Sequence, residues 1–276
     1  MKRIDAHQHF WRLAERAGNW PPPQLEAIYR DFLPPDLAPQ LAAHGIGGTV
    51  LVQSLPSAAD TGFLLQVAQA VPFVLGVVGW VDLKAADAAG QIASWAQDAK
   101  LKGLRPMLQD LDDERWIDDP ALDPAIDAML RCGLSFDALV LPRHLPALLA
   151  FAQRYPALRI VIDHAAKPPI ASGEHAAWAA DLGQLAALPQ VYCKLSGMVT
   201  EAGPEWTLAD LMPYANFVLE AFGPKRVIWG SDWPVLNLAS DYGGWIEACE
   251  RLLDGLSEQE KEQVFGLNAI RFYQLD

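Results

Sequence analysis

The sequence predicts an α/β protein, a single (β/α)8 TIM barrel over residues 1-276 with closing helices at its C-terminal end. Three observations lead to this fold class. Eight short β-branched runs alternate with amphipathic stretches. From the second run onward these runs begin roughly 25 to 35 residues apart, the length of a β-loop-α unit. No repeat and no Gly/Ser linker divides the 276 residues, and one such barrel typically takes about 250.

The predicted strands are short and rich in Val, Ile and Leu, as strands that are covered on both faces usually are. A parallel sheet with helical crossovers buries its strands in this way. In chain order the strands are Arg3–Asp5, Gly48–Gln53, Phe73–Val81, Leu101–Pro106, Ser135–Val140, Arg159–Asp163, Val191–Leu195 and Arg226–Ser231.

The amphipathic stretches between the strands predict helices, and several of them end beside a Gly or Pro that follows the last turn. They cover Pro35–His44, Asp60–Ala70, Ala86–Ala99, Pro120–Arg131, Leu145–Arg154, His175–Leu188 and Leu208–Phe222. Two closing helices are expected after the eighth strand, at Tyr242–Leu253 and Ser257–Phe265. The second of them begins with Ser257 and Glu260 in the spacing of a capping box.

Residues 10 to 47 form the one long connection, and they hold a single predicted helix. The part before that helix contains Trp11, Trp20, a run of three prolines and Tyr29. A connection of this length in a compact domain is usually functional. We expect either an aromatic flap over the barrel mouth or a packing plug that closes the barrel, and the sequence leaves both open.

Composition and charge limit the classes of partner. The formal net charge is −13, which argues against a nucleic-acid surface because phosphate binding needs clustered Lys and Arg. No apolar run approaches the ~20 residues that span a bilayer, and the first residues lack an apolar signal region. The three cysteines are far apart and form no metal motif. These features favour a cytoplasmic protein with a small-molecule substrate, no membrane or nucleic-acid partner, and an oligomeric state that stays open.

Chemistry in such a barrel lies at the carboxyl ends of the strands. Polar and aromatic side chains follow seven of the predicted strands there, and scattered parts of the sequence therefore meet at one rim. The candidates are His7, His9, Gln53, Trp80, Asp82, Arg105, Asp163, His164, Lys167, Lys194, Ser196, Ser231, Asp232 and Trp233. Lys194 lies within an apolar strand, where a charge is costly unless it is paired or functional.

His7 and His9 are the strongest metal candidates. Side chains two residues apart in a strand point the same way, so both imidazoles aim at one spot. Two imidazoles and a carboxylate such as Asp232 suit a divalent ion. Taken alone, the His-x-His pattern is also compatible with coincidence, and Asp232 with the start of a turn. Their common position at the rim favours function.

Here the sequence resembles the amidohydrolase superfamily. The resemblance is carried by His7-Gln8-His9 on the first strand, IDHAAKP (Ile162–Pro168) on the sixth and WGSDWP (Trp229–Pro234) on the eighth. It extends through LVQSLPS (Leu51–Ser57), KGLRPMLQD (Lys102–Asp110) and YCKLSGM (Tyr192–Met198). Within the superfamily the chain is most similar to the lactonase branch, which includes L-fuconolactone and other sugar-lactone hydrolases and the 2-pyrone-4,6-dicarboxylate lactonase.

The resemblance implies roles position by position. His7, His9 and Asp232 match metal-ligand positions, His164 matches the histidine after the sixth strand, and the family's eighth-strand aspartate activates water. Binuclear members carry a carboxylated lysine on the fourth strand, but here Lys102 lies near the start of that strand. The resemblance therefore implies at most a single divalent metal, Zn²⁺, which some members of the branch do without.

The sequence thus predicts a lactone hydrolase, with a sugar lactone of the L-fuconolactone type opened to its aldonic acid. Asp232 and His164 are the expected catalytic residues. The expected substrate-binding residues are Gln53, Trp80, Arg105, Lys167, Lys194 and Trp233. A zinc-dependent decarboxylase of an unsaturated or aromatic acid is the alternative, because related barrels use the same His, His and Asp set. A non-catalytic sugar-acid binder is the third hypothesis.

Overall fold

The strands lie in the sheet in the order in which they occur in the chain. All seven pairs from the first strand to the eighth are parallel, which confirms the predicted (β/α)8 barrel. The computed structural model describes residues 3–16 and 18–275, so Met1, Lys2, Ala17 and Asp276 lie outside the described residues. The strands are β1 Arg3–Gln8, β2 Ile46–Val52, β3 Val74–Gly79, β4 Leu101–Leu104, β5 Ser135–Ala138, β6 Ile160–Ile162, β7 Val191–Leu195 and β8 Val227–Trp229.

The barrel closes where the chain returns to its beginning. Gln8, at the end of β1, forms a parallel bridge with Trp233, just beyond β8. The backbone N–H of His9 donates to the Trp233 carbonyl at 2.8 Å, and the N–H of Asp232 donates to the His7 carbonyl at 2.8 Å. This closure therefore places His7, His9 and Asp232 side by side.

The Asp5 carboxylate reinforces this closure from within. It is fully buried and accepts the Ser231 backbone N–H at 2.8 Å and the Ser231 hydroxyl at 2.6 Å. The hydroxyl of Tyr242 donates to it at 2.9 Å. One carboxylate thus ties β1 to the segment after β8 and to the helix that follows.

The helices match the predicted ones in place and differ mainly at their ends. Leu145–Arg154 and Leu208–Phe222 begin and end where predicted, and the short helix Met198–Ala202 was not predicted. Among the described residues, no helix combines the length and hydropathy that crossing a bilayer requires. The helices are α1 Pro34–Ala43, α2 Ala58–Ala70, α3 Ala88–Trp95, α4 Asp123–Arg131, α5 Leu145–Arg154, α6 Ala176–Ala186, α7 Met198–Ala202, α8 Leu208–Phe222, α9 Tyr242–Leu252, α10 Glu258–Glu262 and α11 Asn268–Tyr273.

The last helices close the barrel at the end opposite its functional rim. A π-helical segment, Gln263–Leu267, joins α10 to α11, so the closing structure extends beyond the predicted Ser257–Phe265. Phe272, Tyr273 and Leu275 are buried in one cluster with strand residues that include Ile4 and Val50. Apolar packing fills this end of the barrel, and the carboxyl ends of the strands are left for polar chemistry.

Candidate active site

Three imidazoles surround one carboxylate at the barrel mouth. Oδ1 of Asp232 lies 3.2 Å from Nε2 of His9 and 3.8 Å from Nε2 of both His7 and His164. The centroids of the His7 ring and the His164 ring are 4.5 Å apart, and those of His7 and His9 are 5.0 Å apart. The strands thus bring together the three histidines and the aspartate that the sequence singled out.

Left-handed backbone supports two of these four residues. His164, Ala165, Ala166 and Lys167 have φ values of 53°, 49°, 61° and 50°, and Asp232 has φ of 60°. Each such residue other than glycine costs roughly 1–2 kcal/mol. Strained backbone of this kind persists where surrounding structure enforces it, and it concentrates at functional sites. We refer to residues 164–167 as the left-handed turn.

The position of His9 determines which ring nitrogen faces Asp232. Its Nδ1 lies 2.7 Å from the carbonyl oxygen of Val52, and because that oxygen can only accept, Nδ1 carries the proton. The other nitrogen, Nε2, faces the carboxylate of Asp232 at 3.2 Å. A proton or a metal cation between these two acceptors would remove their mutual repulsion. A buried hydrogen bond of this kind at Nδ1 is typical of a histidine that binds metal through Nε2.

Burial keeps the other two imidazoles neutral. Burial first, and then the neighbouring Lys194 ammonium, hold the pKa of His7 well below its usual range. Burial likewise lowers the pKa of His164 to about 4. Neutral imidazoles keep a lone pair, so both side chains can accept a proton or bind a metal at neutral pH.

The donor set fits a single divalent metal. Ligand atoms of His7, His9 and Asp232 all lie within 4.8 Å of one another, and all three side chains are buried. Two imidazole nitrogens and one carboxylate oxygen form the kind of set that zinc prefers. Nη1 of Arg105 lies 3.3 Å from Nε2 of His7, so a metal would compete with this guanidinium for the nitrogen.

Beneath the histidines lies a layer of buried ion pairs. Nζ of Lys194 is 2.9 Å from both the Asp137 and the Asp163 carboxylates and 3.1 Å from Nδ1 of His7. Nη1 of Arg105 lies 3.2 Å from the other oxygen of Asp163. Since all four charged side chains are buried, each charge depends on its partners. Lys194 therefore holds His7 from below.

A cavity of about 490 Å³ opens above this layer. Five of the predicted site residues line it, namely His9, Arg105, His164, Lys167 and Asp232. Its volume is within the range of pockets that bind small molecules. The predicted catalytic pair, Asp232 and His164, therefore faces a space that can hold a substrate.

Four predicted substrate-binding residues are not among the described residues that line this cavity. The ring of Trp233 is buried edge-to-face against Phe10 and Phe32, with centroids 6.0 and 5.2 Å away. The Gln53 amide donates to the backbone carbonyl of Arg105 at 2.7 Å, which places it behind the wall. Trp80 directly follows β3, where its backbone N–H donates to the Thr61 hydroxyl at 2.8 Å, and Lys194 lies below the histidines.

The structure also adds wall residues that the sequence analysis missed. Thr200 and Glu201 of α7 line the cavity, and Oε1 of Glu201 lies 3.8 Å from Nζ of Lys167. Burial raises the pKa of Glu201. No motif marked Glu201, because it belongs to a five-residue helix that neither periodicity nor a cap residue predicts. Its position five residues after Ser196, beyond the seventh strand, was the one available signal.

The long connection before α1 combines the two alternatives left open by the sequence. Phe10, Trp11 and Phe32 are buried, and the Trp11 and Phe32 rings meet at 5.4 Å. These aromatics pack the segment onto the barrel. Trp20, from the same segment, lines the cavity together with Asn19. The segment is thus anchored by apolar packing and contributes part of the cavity wall.

Known proteins resemble this chain along its whole length. An L-fucono-1,5-lactonase of Burkholderia ambifaria is 60% identical, with 99% of this chain and 96% of the relative covered. An L-fucono-1,5-lactonase of Burkholderia multivorans is 38% identical over the same shares. A crystal structure of an amidohydrolase from Burkholderia multivorans with bound zinc is 38% identical and covers both chains fully, with a TM-score of 0.93. The family model described as Amidohydrolase matches residues 4–275, so the chain belongs to the amidohydrolase family.

Proposed function

We propose that this protein hydrolyses L-fucono-1,5-lactone to L-fuconate, with Asp232 activating the attacking water. The predicted enzyme class, a hydrolase of lactone bonds, is confirmed by the full-length lactonase relatives. The choice of L-fuconolactone follows the name of the 60% identical relative. The observation that carries the mechanism is the Asp232 carboxylate at the cavity wall, within 3.8 Å of three imidazoles.

Asp232 acts as the base for water. Although burial alone would raise it, the imidazoles around the carboxylate, His164 foremost, hold the pKa of Asp232 below its usual value. The side chain is therefore ionised at neutral pH and can accept a proton from a water molecule beside it. Such a carboxylate is a weak base, so the water or the carbonyl must also be activated by positive charge.

Positive charge is available from Arg105, which lines the cavity next to His7. As water adds to the lactone carbonyl, negative charge develops on the carbonyl oxygen. A guanidinium in a buried wall stabilises that charge far more than water does. Arg105 is held in place by Asp163 and by the backbone carbonyl of Gln53, so its orientation is fixed before the substrate arrives.

A single zinc ion is the second source of positive charge that we propose, held by His7, His9 and Asp232. When bound, zinc polarises a carbonyl and lowers the pKa of water that it contacts. The proposal is supported by the convergence of these three ligands and by the bound zinc in the related amidohydrolase from Burkholderia multivorans.

His164 completes the reaction by moving the proton. After water adds, the bond between the carbonyl carbon and the ring oxygen breaks, and the ring oxygen needs a proton. The neutral His164 imidazole lies 3.8 Å from Asp232 and faces the cavity, so it can pass the proton from the carboxylate to the leaving oxygen. Ring opening then yields the hydroxy acid and regenerates the ionised Asp232.

The two other hypotheses have less support. A decarboxylase would use the same three ligands, but the relatives that match over the full length at 60% and 38% identity are both lactonases. A sugar-acid binder would not need a carboxylate surrounded by three imidazoles at the cavity wall. Because a sugar acid carries a carboxylate of its own, the negative charge of Asp232 would oppose its binding.

A lactone panel followed with a pH indicator tests the proposal, because each ring opening releases one acid. The panel contains L-fucono-1,5-lactone, L-fucono-1,4-lactone and L-rhamnono-1,4-lactone, and loss of absorbance of aromatic acids is followed in parallel. We expect the highest kcat/KM with L-fucono-1,5-lactone and no decarboxylation. Absence of acid release from every lactone, or turnover of an aromatic acid instead, would contradict the proposal.

A further inference from the structure

The described residues that line the cavity include more carboxylates than Lys and Arg side chains. Among the described residues that line the cavity, the carboxylates are Asp110, Glu201 and Asp232, and the Lys and Arg side chains are Arg105 and Lys167. Both cations already face a carboxylate. Arg105 lies 3.2 Å from Asp163, and Lys167 lies 3.8 Å from Glu201. Lys167 is therefore paired with a carboxylate of the cavity wall itself, whereas the partner of Arg105 belongs to the buried layer below the cavity.

Glu201 is the carboxylate that pairs with Lys167, and it lines the cavity in which a sugar would bind. Its side chain is 26% exposed, and the exposed part faces the cavity. In this partly desolvated wall a second negative charge is repelled more strongly than in water. A sugar hydroxyl, by contrast, can donate a hydrogen bond to the carboxylate.

The backbone fixes Glu201 relative to the catalytic residues. Helix α7 starts after Gly197, which has φ of 63° and lies against His164. A Cβ added at Gly197 would come within 2.5 Å of Nδ1 of His164, so the close approach requires glycine. Lys167 ends the left-handed turn that begins at His164. Lys167 therefore belongs to the segment that carries His164, and Glu201 belongs to a helix that starts in contact with His164.

We propose that Glu201 sets the charge selectivity of the enzyme. Its carboxylate accepts hydrogen bonds from the hydroxyls of a neutral sugar lactone, keeps Lys167 neutralised and excludes lactones that carry a carboxylate of their own. The inference rests on the proposed lactonase function and narrows its substrate class to neutral polyhydroxy lactones. Lactones of sugar diacids fall outside that class.

Two lactones with the same ring provide the test. L-Galactono-1,4-lactone differs from L-fucono-1,4-lactone only by a hydroxyl on the last carbon. The galactaro-1,4-lactone of the same configuration has a carboxylate at that carbon. We compare kcat/KM for the neutral and the anionic lactone in the wild type and in Glu201→Gln, which keeps the size of the side chain and removes its charge.

The wild type should strongly prefer the neutral lactone. In Glu201→Gln the ratio of neutral to anionic kcat/KM should fall roughly tenfold or more, because like charges in contact oppose binding and Lys167 becomes free. In the double variant Glu201→Gln/Lys167→Gln the gain with the anionic lactone should be smaller than in Glu201→Gln, because Lys167 no longer attracts the carboxylate while the repulsion by Glu201 is still absent. The matched control Asp110→Asn removes an exposed carboxylate from the same rim, and we expect it to change the ratio less than about threefold because solvent screens this charge.

The results that would overturn the role of Glu201 differ from the result that would overturn the proposed function. A ratio in Glu201→Gln within about twofold of the wild-type ratio would overturn the inference, as would a gain in the double variant at least as large as the gain in Glu201→Gln. Glu201→Ser serves as the second variant if Gln impairs folding, and it should shift the ratio in the same direction. Failure of the wild type to open any neutral lactone would instead overturn the proposed function. That result is distinguishable because it needs only the wild-type rates and no comparison between variants.

Discussion

Asp232 is placed by its backbone as much as by its side chain. The N–H of this residue is bonded to the His7 carbonyl at 2.8 Å, and its φ of 60° is one that Asp and Asn tolerate better than most residues. This conformation directs the carboxylate toward three imidazoles. An amide side chain at the same position would preserve the backbone and remove the charge, so the two contributions can be separated.

We expect Asp232→Asn to lower kcat by roughly 10²–10⁴, the usual range for loss of a general base. With both proteins chelated, the thermal unfolding temperature should stay close to that of the wild type, since Asn tolerates the left-handed backbone and the hydrogen bond to His7 uses the main chain. Initial rates with L-fucono-1,5-lactone and circular dichroism melts measure both effects. Asp254→Asn, at an exposed position away from the cavity, is the matched control, and full activity in Asp232→Asn would refute the role of Asp232.

At the scale of elements, the left-handed turn is the least regular part of the barrel rim. Four consecutive residues adopt a conformation that favours glycine, and none of them is glycine. Their side chains explain why: His164 and Lys167 face the cavity, and Ala165 and Ala166 are buried in the core. The strain is therefore offset by packing and serves to orient the two functional side chains.

Because of this strain, a buried alanine of the left-handed turn should be replaceable by glycine with little loss of stability. Ala166→Gly should change the free energy of unfolding by less than about 0.5 kcal/mol, because relief of the left-handed alanine offsets the lost methyl group and the added chain entropy. Ala152→Gly, at an equally buried position in α5, should destabilise by about 1–2 kcal/mol. Urea unfolding of the two variants tests the contrast. Equal losses would show that the turn is unstrained.

The contact of β1 with the segment after β8 makes a second prediction. One oxygen of Asp5 accepts bonds from the hydroxyls of Ser231 and Tyr242, and an amide nitrogen in its place would leave the protons of these hydroxyls without their acceptor. Asp5→Asn should therefore destabilise the fold by about 2–3 kcal/mol, the cost of an unsatisfied buried group. Tyr242→Phe, which removes one donor and keeps the acceptor, should cost about 1 kcal/mol. Equal unfolding midpoints for the wild type and Asp5→Asn in urea would contradict this account.

On the scale of the whole molecule, the candidate metal ligands join the two ends of the barrel. His7 and His9 lie on or beside β1, whereas Asp232 lies beyond β8, and 223 residues separate His9 from Asp232. A metal held by this set would connect the first strand to the last. Binding should therefore stabilise the entire barrel rather than one local segment.

Zinc added to chelated protein should accordingly bind with one equivalent and raise the thermal unfolding temperature. At a free concentration about 100 times Kd the stabilisation is about 2.7 kcal/mol. Calorimetric titration and thermal melts measure the stoichiometry and the shift. His9→Ala should lose most of both, and His44→Ala, at a helix end away from the cavity, should retain them. Unaltered binding in His9→Ala would exclude the proposed ligand set.

The position of the three histidines and Asp232 at one rim was predictable from the sequence, whereas only some of the residues that line the cavity were. His7, His9, His164 and Asp232 follow strands, and the carboxyl ends of parallel strands meet at one rim, so counting strands was enough to bring these residues together. Trp233 follows a left-handed residue, where alternation along the strand no longer holds, and its ring turns into the packed aromatic segment.

The remaining wall residues depend on tertiary packing. Glu201 belongs to a five-residue helix, too short to leave a periodic signal, and its relation to Lys167 exists only because Gly197 lets α7 approach His164. Gln53 directly follows β2 at the rim, but its amide donates to the backbone carbonyl of Arg105. Contacts of this kind set the direction of a side chain that follows a strand end, and the sequence pattern of a strand does not predict them.

The bridge between Gln8 and Trp233 has a consequence for biosynthesis. His7 and His9 leave the ribosome long before Asp232, which lies 223 positions after His9, has been synthesised. Premature termination anywhere before the eighth strand would therefore leave an inert fragment, and newly made molecules acquire catalytic competence in a single late event.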